Sequence, residues 1–196
     1  DVLIGDAGDN ALAGGDGDDM LDGLEGADTI DGGAGIDTVS YAGSQGAVAV
    51  NLTTNVNTGE DAGGDLLSNV ENVTGSAFDD VLTGDAAANT LLGGDGDDVL
   101  AGMAGADVID GGAGNNTADY SASGAGVAVN INASWVGSPP VSTGPALTVN
   151  PNSGVGGDAE GDTLTNIRNV IGSAFNDYLY ANDTGGRLAA GAVDDY

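Results

Sequence analysis

The chain contains no cysteine, no histidine and no lysine, and its only basic residues are two arginines. Without cysteine there are no disulfides and no thiolate chemistry. Without histidine and lysine, a Ser-His-Asp triad, a Cys-His pair and a lysine Schiff base are excluded from these residues. The commonest zinc ligands are missing as well. These absences argue against catalysis within the chain, and we expect it not to be an enzyme.

Positive charge is scarce, since 31 acidic residues face two arginines and the formal net charge is −29. A surface this anionic repels phosphate, so no nucleic-acid partner is expected. The same self-repulsion opposes a compact state unless a counter-charge is bound. No apolar run reaches the ~18 residues of a membrane span, and no signal peptide is visible. We therefore expect no membrane span, and we interpret the chain as a segment of a longer protein.

Glycine and aspartate are abundant, and they recur in a nine-residue phrase that we call the nonapeptide. Its cleanest copies are residues 14–22 and 32–40, which begin with two glycines, carry Asp at position six and place an apolar residue at position eight. The glycines permit a backbone with positive φ. The aspartate offers the hard oxygen ligand that calcium accepts. The nonapeptide is therefore predicted to be a calcium-binding loop followed by a short strand.

The nonapeptides form runs that are separated by connectors, and the connectors also repeat. Residues 48–52 match 127–131 with the alternation of a half-buried strand, and residues 69–78 match 166–175. No helical periodicity is present, so short strands joined by Gly/Asp turns are expected. The predicted organisation is a first block 1–40, a connector 41–74, a second block 75–119, a connector 120–171 with a Pro/Trp-containing insertion 134–154, and the start of a third block at 172–196.

The tandem nonapeptide resembles the glycine-rich repeat of RTX (repeats-in-toxin, haemolysin-type) proteins, a repeat known to bind calcium. The resemblance implies an all-β fold, a right-handed parallel β-roll or β-solenoid in which two nonapeptides complete one coil. It also implies calcium between stacked loops, held by carboxylates at position six and by backbone carbonyls of the glycine turn, with roughly five to eight ions in all. Asparagine at position six is expected to weaken a site, and aspartates at position five, such as Asp97, are expected to face water.

The resemblance assigns the metal site to position-six side chains and to glycines of the turns. In the first block these are Asp1, Gly5, Gly8, Asn10, Gly15, Gly17, Asp19, Gly26, Asp28, Gly33, Gly35 and Asp37. In the second block they are Asp80, Asn89, Gly94, Gly96, Asp98, Gly105, Asp107, Gly112, Gly114 and Asn116. Asp177 and Asp195 begin a third set.

The residues outside this pattern receive structural interpretations. Tyr41 and Tyr120, which open the connectors, and Phe78 and Phe175, which close them, are expected to cap or plug the core. Trp135 is interpreted as the plug of a folded-back loop in preference to a contact site. Arg168 and Arg187 are expected at the surface, which argues against a calcium-dependent lyase.

The function implied by the resemblance is a calcium-binding structural module of a large secreted or cell-surface bacterial protein, of the adhesin, surface-layer or fibre type. Export by a type I system and folding on calcium outside the cell are implied as well, and end-to-end self-association is a further expectation. The alternative is an accessory domain of a secreted protease, lipase or alginate epimerase. Direct binding of sugar or ice is disfavoured, because threonine is only scattered along the chain.

Overall fold

A computed structural model describes residues 1–131, 152–180 and 186–189, and within them the chain is built from short β-strands. Trp135, the four prolines and Asp195 lie outside the described residues, as does most of the 134–154 insertion. The first half contains β1 Val2–Ile4, β2 Ala11–Asp16, β3 Met20–Asp22, β4 Thr29–Ala34, β5 Thr38–Ser40, β6 Val48–Asn51, β7 Thr58–Gly59, β8 Leu66–Ser68, β9 Asn72–Thr74 and β10 Val81–Thr83. The second half contains β11 Thr90–Leu92, β12 Val99–Ala101, β13 Val108–Asp110, β14 Asn116–Asp119, β15 Ala128–Asn130, β16 Ser153–Val155, a 3₁₀ turn Gly157–Ala159, β17 Thr163–Thr165, β18 Ile167–Ile171, β19 Tyr178–Tyr180 and β20 Leu188–Ala189.

The strands stack into a parallel β-solenoid, as the sequence predicts. One side is a ten-stranded sheet with the order β1-β3-β5-β9-β11-β13-β17-β16-β15-β19. The other side is divided into a three-stranded sheet, β2-β4-β8, and a seven-stranded sheet, β20-β18-β14-β12-β10-β6-β7. Successive nonapeptides alternate between the two sides, so each strand pairs with the strand two nonapeptides further along. Leu3 pairs with Leu21 and Leu12 with Ile30, which gives one coil for every two nonapeptides.

The core is a thin layer formed by position eight of the nonapeptides. A strand places alternate residues on opposite faces, so position eight points inward while positions seven and nine point out. The position-eight residues Leu21, Ile30, Val39, Leu82, Leu91, Leu100, Ile109 and Ala118 are all fully buried. Each large member contributes about 1.5–3 kcal/mol through burial of its apolar surface. This single layer must stabilise a chain that carries most of its acids in the turns.

The two connectors fold alike but add their hairpins to opposite sides of the solenoid. In the first, β6 pairs in parallel with β10 and in antiparallel with β7, while β8 and β9 continue the sheets of β4 and β5. In the second, β15 pairs in parallel with β19 and in antiparallel with β16, while β17 and β18 continue β13 and β14. Five nonapeptides separate the connectors, and this odd number places the second hairpin in the ten-stranded sheet.

The aromatic residues at the connectors divide into a buried pair and an exposed pair. Tyr41 and Tyr120 are fully buried in the core. Phe78 and Phe175 are 44% and 47% exposed, so the expectation that they plug the core is wrong. Both occupy position four of a nonapeptide, which lies in the outward turn and not on the inward side of a strand. In the ranges that the structure describes, no helix has the length and hydropathy needed to cross a membrane.

Candidate metal centre

The position-six side chains lie at the inner edge of the turns and are removed from solvent. Asp19, Asp28, Asp37, Asp80, Asn89, Asp98, Asp107, Asn116 and Asp177 are all buried, whereas Asn10 is partly exposed and Asp1 is exposed. Burying a carboxylate is costly unless it is paired, hydrogen-bonded or bound to a metal. The hydrogen-bond partners of these oxygen atoms therefore determine which of the oxygens are available to bind a ligand.

In five position-six side chains one oxygen accepts a backbone N–H of the preceding coil, and these bonds form a ladder that joins neighbouring coils. The Asp19 backbone N–H donates to Asp37 Oδ1 at 2.8 Å, across 18 residues. The Asp80 N–H donates to Asp98 Oδ1 at 2.9 Å in the same way. Equivalent bonds join Asn10 to Asp28, Asn89 to Asp107 and Asp98 to Asn116. Asparagine can replace aspartate in the ladder because both supply the oxygen.

The second carboxylate oxygen has no partner in a defined set of nonapeptides, which we call the open loops. These are the nonapeptides with glycine at position four and aspartate at position six, namely 14–22, 23–31, 32–40, 93–101 and 102–110. In these loops Oδ2 of Asp19, Asp28, Asp37, Asp98 and Asp107 is buried and accepts no hydrogen bond from any described residue. A buried polar atom without a partner costs about 1–3 kcal/mol, and more when it is charged. Such atoms require a ligand that the protein itself does not supply.

The unpaired oxygens lie against the first glycine of their own loop. A methyl group on Gly14 would collide with Asp19 Oδ2 and with the carbonyl oxygen of Gly32 in the next coil. A methyl group on Gly93 would collide with Asp98 Oδ2 and with the Gly111 carbonyl oxygen. Glycine is therefore required at position one so that the carboxylate and the carbonyl of the neighbouring coil can approach the same point.

The glycines at positions two and four give the turns their shape. Gly15 and Gly17 have φ of 104° and 110°, and Gly94 and Gly96 have φ of 112° and 128°. The remaining predicted glycines with positive φ are Gly26, Gly33, Gly35, Gly105, Gly112 and Gly114, whereas Gly5 and Gly8 lie in the first loop and do not adopt it. A methyl group would meet a carbonyl of the preceding coil at most of these positions, as at Gly33 with the Gly15 oxygen, whereas at Gly15 and Gly17 it would meet nothing. Backbone carbonyls of stacked loops are thus brought close together.

A second set of nonapeptides, which we call the closed loops, is satisfied from within. In 75–83, the Ser76 hydroxyl donates to Asp80 Oδ1 at 2.8 Å and the Ser76 N–H donates to Asp80 Oδ2 at 2.5 Å. In 84–92, the Asp85 N–H donates to Asn89 Oδ1 at 2.8 Å. Nonapeptides 5–13 and 172–180 are closed in the same way by Asp6 and Ser173. Serine or aspartate at position two is the sequence signal for these loops, which begin each run.

Aspartates at position five form a further ladder on the outside of the turns. Asp97 Oδ1 accepts the Asn115 N–H at 2.8 Å, and Asp18 Oδ1 accepts the Ile36 N–H at 2.9 Å. Asp9 and Asp79 accept equivalent bonds from residues 18 positions further along. These side chains are exposed to solvent while one oxygen of each is bound to the next coil.

Three acidic residues of the connectors occupy ladder positions that the nonapeptide pattern does not include. Asp65 Oδ1 accepts the Asp28 N–H at 2.8 Å, Asp162 Oδ1 accepts the Asp107 N–H at 2.9 Å, and Glu71 Oε2 accepts the Asp37 N–H at 2.8 Å. Asp65 and Asp162 are each followed two residues later by a buried leucine, as in positions six to eight of a nonapeptide. That Asp-x-Leu spacing is the signal by which they could have been found.

Burial raises the pKa of three open-loop carboxyl groups, those of Asp28, Asp98 and Asp107. The pKa of Asp98 is raised to about 6 by burial, against the lowering effect of the Asp80 N–H and with a further increase from the charge of Asp80. The pKa of Asp107 is raised to about 7 by burial, against the Asn89 N–H and with a further increase from Asp162. The pKa of Asp28 is also raised, mainly by burial. A cation at these carboxylates would oppose these shifts, because a nearby positive charge favours the ionised form.

The donor set fits calcium better than any other common metal. It consists of hard oxygen atoms, with one unpaired carboxylate oxygen per open loop and carbonyls of stacked turns, and calcium accepts six to eight such ligands. Within the described ranges, no three acidic, histidine or cysteine side chains gather at one point, so a site made of side chains alone is not present. A metal held here must draw most of its ligands from the backbone.

Comparison with known protein families agrees with this chemistry. Residues 1–39, 68–100 and 83–118 match the model of the RTX calcium-binding nonapeptide repeat, which comprises four copies of the repeat. No curated protein matches the sequence. The family is a structural calcium-binding module, and it forms the parallel β-roll that the strands of this chain adopt. The nonapeptide register, the stacked coils and the family match together identify residues 1–39 and 68–118 as RTX calcium-binding nonapeptide repeats.

Proposed function

We propose that calcium binds at the five open loops and that this binding drives folding of the module. The observation that carries the proposal is the set of five buried carboxylate oxygens without a partner, in Asp19, Asp28, Asp37, Asp98 and Asp107. Each is accompanied by carbonyls of the glycine turns, which supply neutral oxygens. The proposal gives at least five ions, at the lower end of the range expected from the sequence.

The closed loops take a smaller part in this scheme. The position-six oxygens of Asn10, Asp80 and Asn89 are occupied by hydrogen bonds within their own loops. They contribute mainly backbone oxygens to a neighbouring ion. We propose that the closed loops at the start of each run present a preformed turn on which the first calcium-binding coil stacks.

The energetic role of the metal follows from charge. With a net charge of −29, the calcium-free chain repels itself, and its glycine-rich turns are entropically costly to order. A structural metal whose site does not exist in the unfolded state contributes its binding free energy to folding. The chain is thus a module that is unfolded at low calcium and folded at high calcium.

The cellular role that suits such a module is a rigid spacer in a large secreted or cell-surface bacterial protein. Two connectors of the same design, each following a run of nonapeptides, support blocks at 1–40, 75–119 and 172–196 within a longer array. The extracellular space is rich in calcium and the cytoplasm is not, which favours export of the unfolded chain through a type I system and folding outside. Neighbouring repeats of the same chain are the proposed partners at the ends of the solenoid.

The test is far-UV circular dichroism of the chain in chelator and then in millimolar calcium. We expect an unfolded spectrum in chelator and a β spectrum in calcium. Magnesium at the same concentration is the control, because it carries the same charge but demands a smaller, octahedral site and keeps its waters. A β spectrum that persists unchanged in excess chelator, or equal folding by magnesium, would refute the proposal.

A further inference from the structure

Each connector ends one column of ladder side chains with an aspartate whose preceding turn departs from the nonapeptide. Glu60 takes the place of the first glycine before Asp65, and Glu160 takes the place of the position-four glycine before Asp162. Asp65 follows Asn10 and Asp28 in one column, and Asp162 follows Asn89 and Asp107 in another. Through Oδ1 both accept the backbone N–H of the preceding coil, as Asp28, Asp37, Asp98 and Asp107 do in the open loops. Both are buried, with 1% of their surface exposed. In position and in burial they are therefore equivalent to the proposed calcium ligands.

The two aspartates differ from the open loops in their second oxygen. Asp65 Oδ2 accepts the Tyr41 hydroxyl at 2.8 Å, and Asp162 Oδ2 accepts the Tyr120 hydroxyl at 2.8 Å. In the open loops the same oxygen has no partner. The hydroxyl therefore occupies the atom through which a cation would bind.

The tyrosines are held firmly in this position. The Tyr41 N–H donates to the Thr74 carbonyl and the Tyr120 N–H donates to the Ile171 carbonyl, both at 2.8 Å. Both rings lie in the core with at most 2% of their surface exposed. The arrangement occurs twice, on opposite sides of the solenoid, which shows that it does not depend on one local environment.

We propose that the Tyr41 and Tyr120 hydroxyls replace calcium at the last carboxylate of their columns, so that each connector is a metal-free joint that ends a calcium-binding block. The proposal rests on the calcium function proposed above. A buried carboxylate oxygen needs either a cation or a hydrogen-bond donor. In each connector the tyrosine hydroxyl is that donor, so the carboxylate oxygen is satisfied without a metal. The number of ions is thereby fixed by the nonapeptides and is not increased by the connectors.

The experiment counts bound calcium by equilibrium dialysis in the full chain and compares Asp65→Asn with Asp28→Asn. The two residues are neighbours in one column, and in both variants the amide oxygen can still accept the backbone N–H. We expect Asp28→Asn to lose one ion and Asp65→Asn to lose none. The loss of an ion in Asp65→Asn would overturn the joint. If the unmodified chain binds no calcium, the proposed function itself fails, so the two failures are distinguishable.

A second measurement determines the free energy of unfolding by urea denaturation at several calcium concentrations. The slope of this free energy against the logarithm of the calcium concentration reports the number of ions released on unfolding. Tyr41→Phe removes the hydroxyl alone, and Tyr120→Phe repeats the change in the other connector. Both variants are expected to unfold at a lower urea concentration than the unmodified chain. The dependence of their unfolding free energy on calcium should have the same slope as in the unmodified chain. Asp28→Asn is expected to have a smaller slope. A smaller slope in Tyr41→Phe or Tyr120→Phe would show that the joints contain metal and would refute the proposal.

Discussion

Replacing Asp98 with asparagine distinguishes the contribution of the hydrogen-bond ladder from that of the proposed metal site. The carboxylate accepts the Asp80 N–H through Oδ1 at 2.9 Å, while Oδ2 is buried and unpaired. Asparagine keeps the first interaction, as Asn116 does for the Asp98 N–H at 2.9 Å. It removes the negative charge of the second oxygen. The substitution therefore acts mainly on the cation and leaves the stacking of the coils in place.

The magnitude follows from the contribution of one bound ion. At a calcium concentration about 100 times the dissociation constant, one site contributes about 2.7 kcal/mol to stability. Loss of the site in Asp98→Asn is therefore expected to lower the free energy of unfolding by about that amount in excess calcium. The calcium concentration at half folding should rise in parallel.

The adjacent Asp97 provides the matched control. Its carboxylate also accepts a backbone N–H from the next coil, that of Asn115 at 2.8 Å, but it is exposed. Asp97→Asn is expected to change the free energy of unfolding by no more than about 0.5 kcal/mol. The assay is urea denaturation followed by circular dichroism in millimolar calcium. Equal losses of stability in the two variants, or a neutral Asp98→Asn, would refute the assignment of calcium to position six.

Three further predictions concern pH, the turns and the core. In metal-free buffer the pKa values of about 6 and 7 for Asp98 and Asp107 lie above the usual 3.8. The folded state therefore binds more protons than the unfolded state, and its stability falls as pH rises from about 4 to 7. Circular dichroism should then show more β structure at pH ~5 than at neutral pH, and the reverse order would contradict the burial of these groups. Gly33→Ala should lower the free energy of unfolding by about 2 kcal/mol or more, because φ at Gly33 is 102° and the methyl group would meet the Gly15 carbonyl. Gly43 lies in open space, so Gly43→Ala should be neutral or slightly stabilising. Similar urea midpoints for the two variants would count against the turn geometry. Leu100→Ala should cost about 2–5 kcal/mol in calcium by urea denaturation, and a loss below 1 kcal/mol would show that the layer is not packed as described.

The period of the nonapeptide made most of the fold predictable from the sequence. A repeat of nine residues with one apolar position fixes which residue faces inward, and it correctly places Leu21, Leu82 and Leu100 in the core. The stacking of Asp19 on Asp37 was implied by the resemblance to RTX repeats, in which two nonapeptides complete one coil, and the Asp19 N–H donates to Asp37 Oδ1. Local chemistry and repetition are both strong here, and they agree.

The connectors were less predictable because their register depends on contacts far apart in sequence. Asp65 reaches the column of Asp28 across 37 residues, and Asp162 reaches that of Asp107 across 55. No fixed period links these pairs. The Tyr41–Asp65 hydrogen bond could not be predicted for the same reason, although the burial of the tyrosine was expected.

The difference between open and closed loops was present in the sequence but not in the family pattern. Serine at position two in 75–83 can bond to its own loop, a property of short hydroxyl side chains that favour turns. The family pattern describes what the loops share, and it treats Asp80 and Asp98 alike. Their separation requires the hydrogen bonds of each loop.

The most direct test of the account is a crystal structure of the chain grown in calcium, with the ions located by their anomalous scattering. Calcium peaks are predicted beside the unpaired carboxylate oxygens of Asp19, Asp28, Asp37, Asp98 and Asp107, with backbone carbonyls completing each site. None is predicted beside Asp65 or Asp162, where the tyrosine hydroxyls are bound. Open loops without calcium, or an ion between Tyr41 and Asp65, would contradict it.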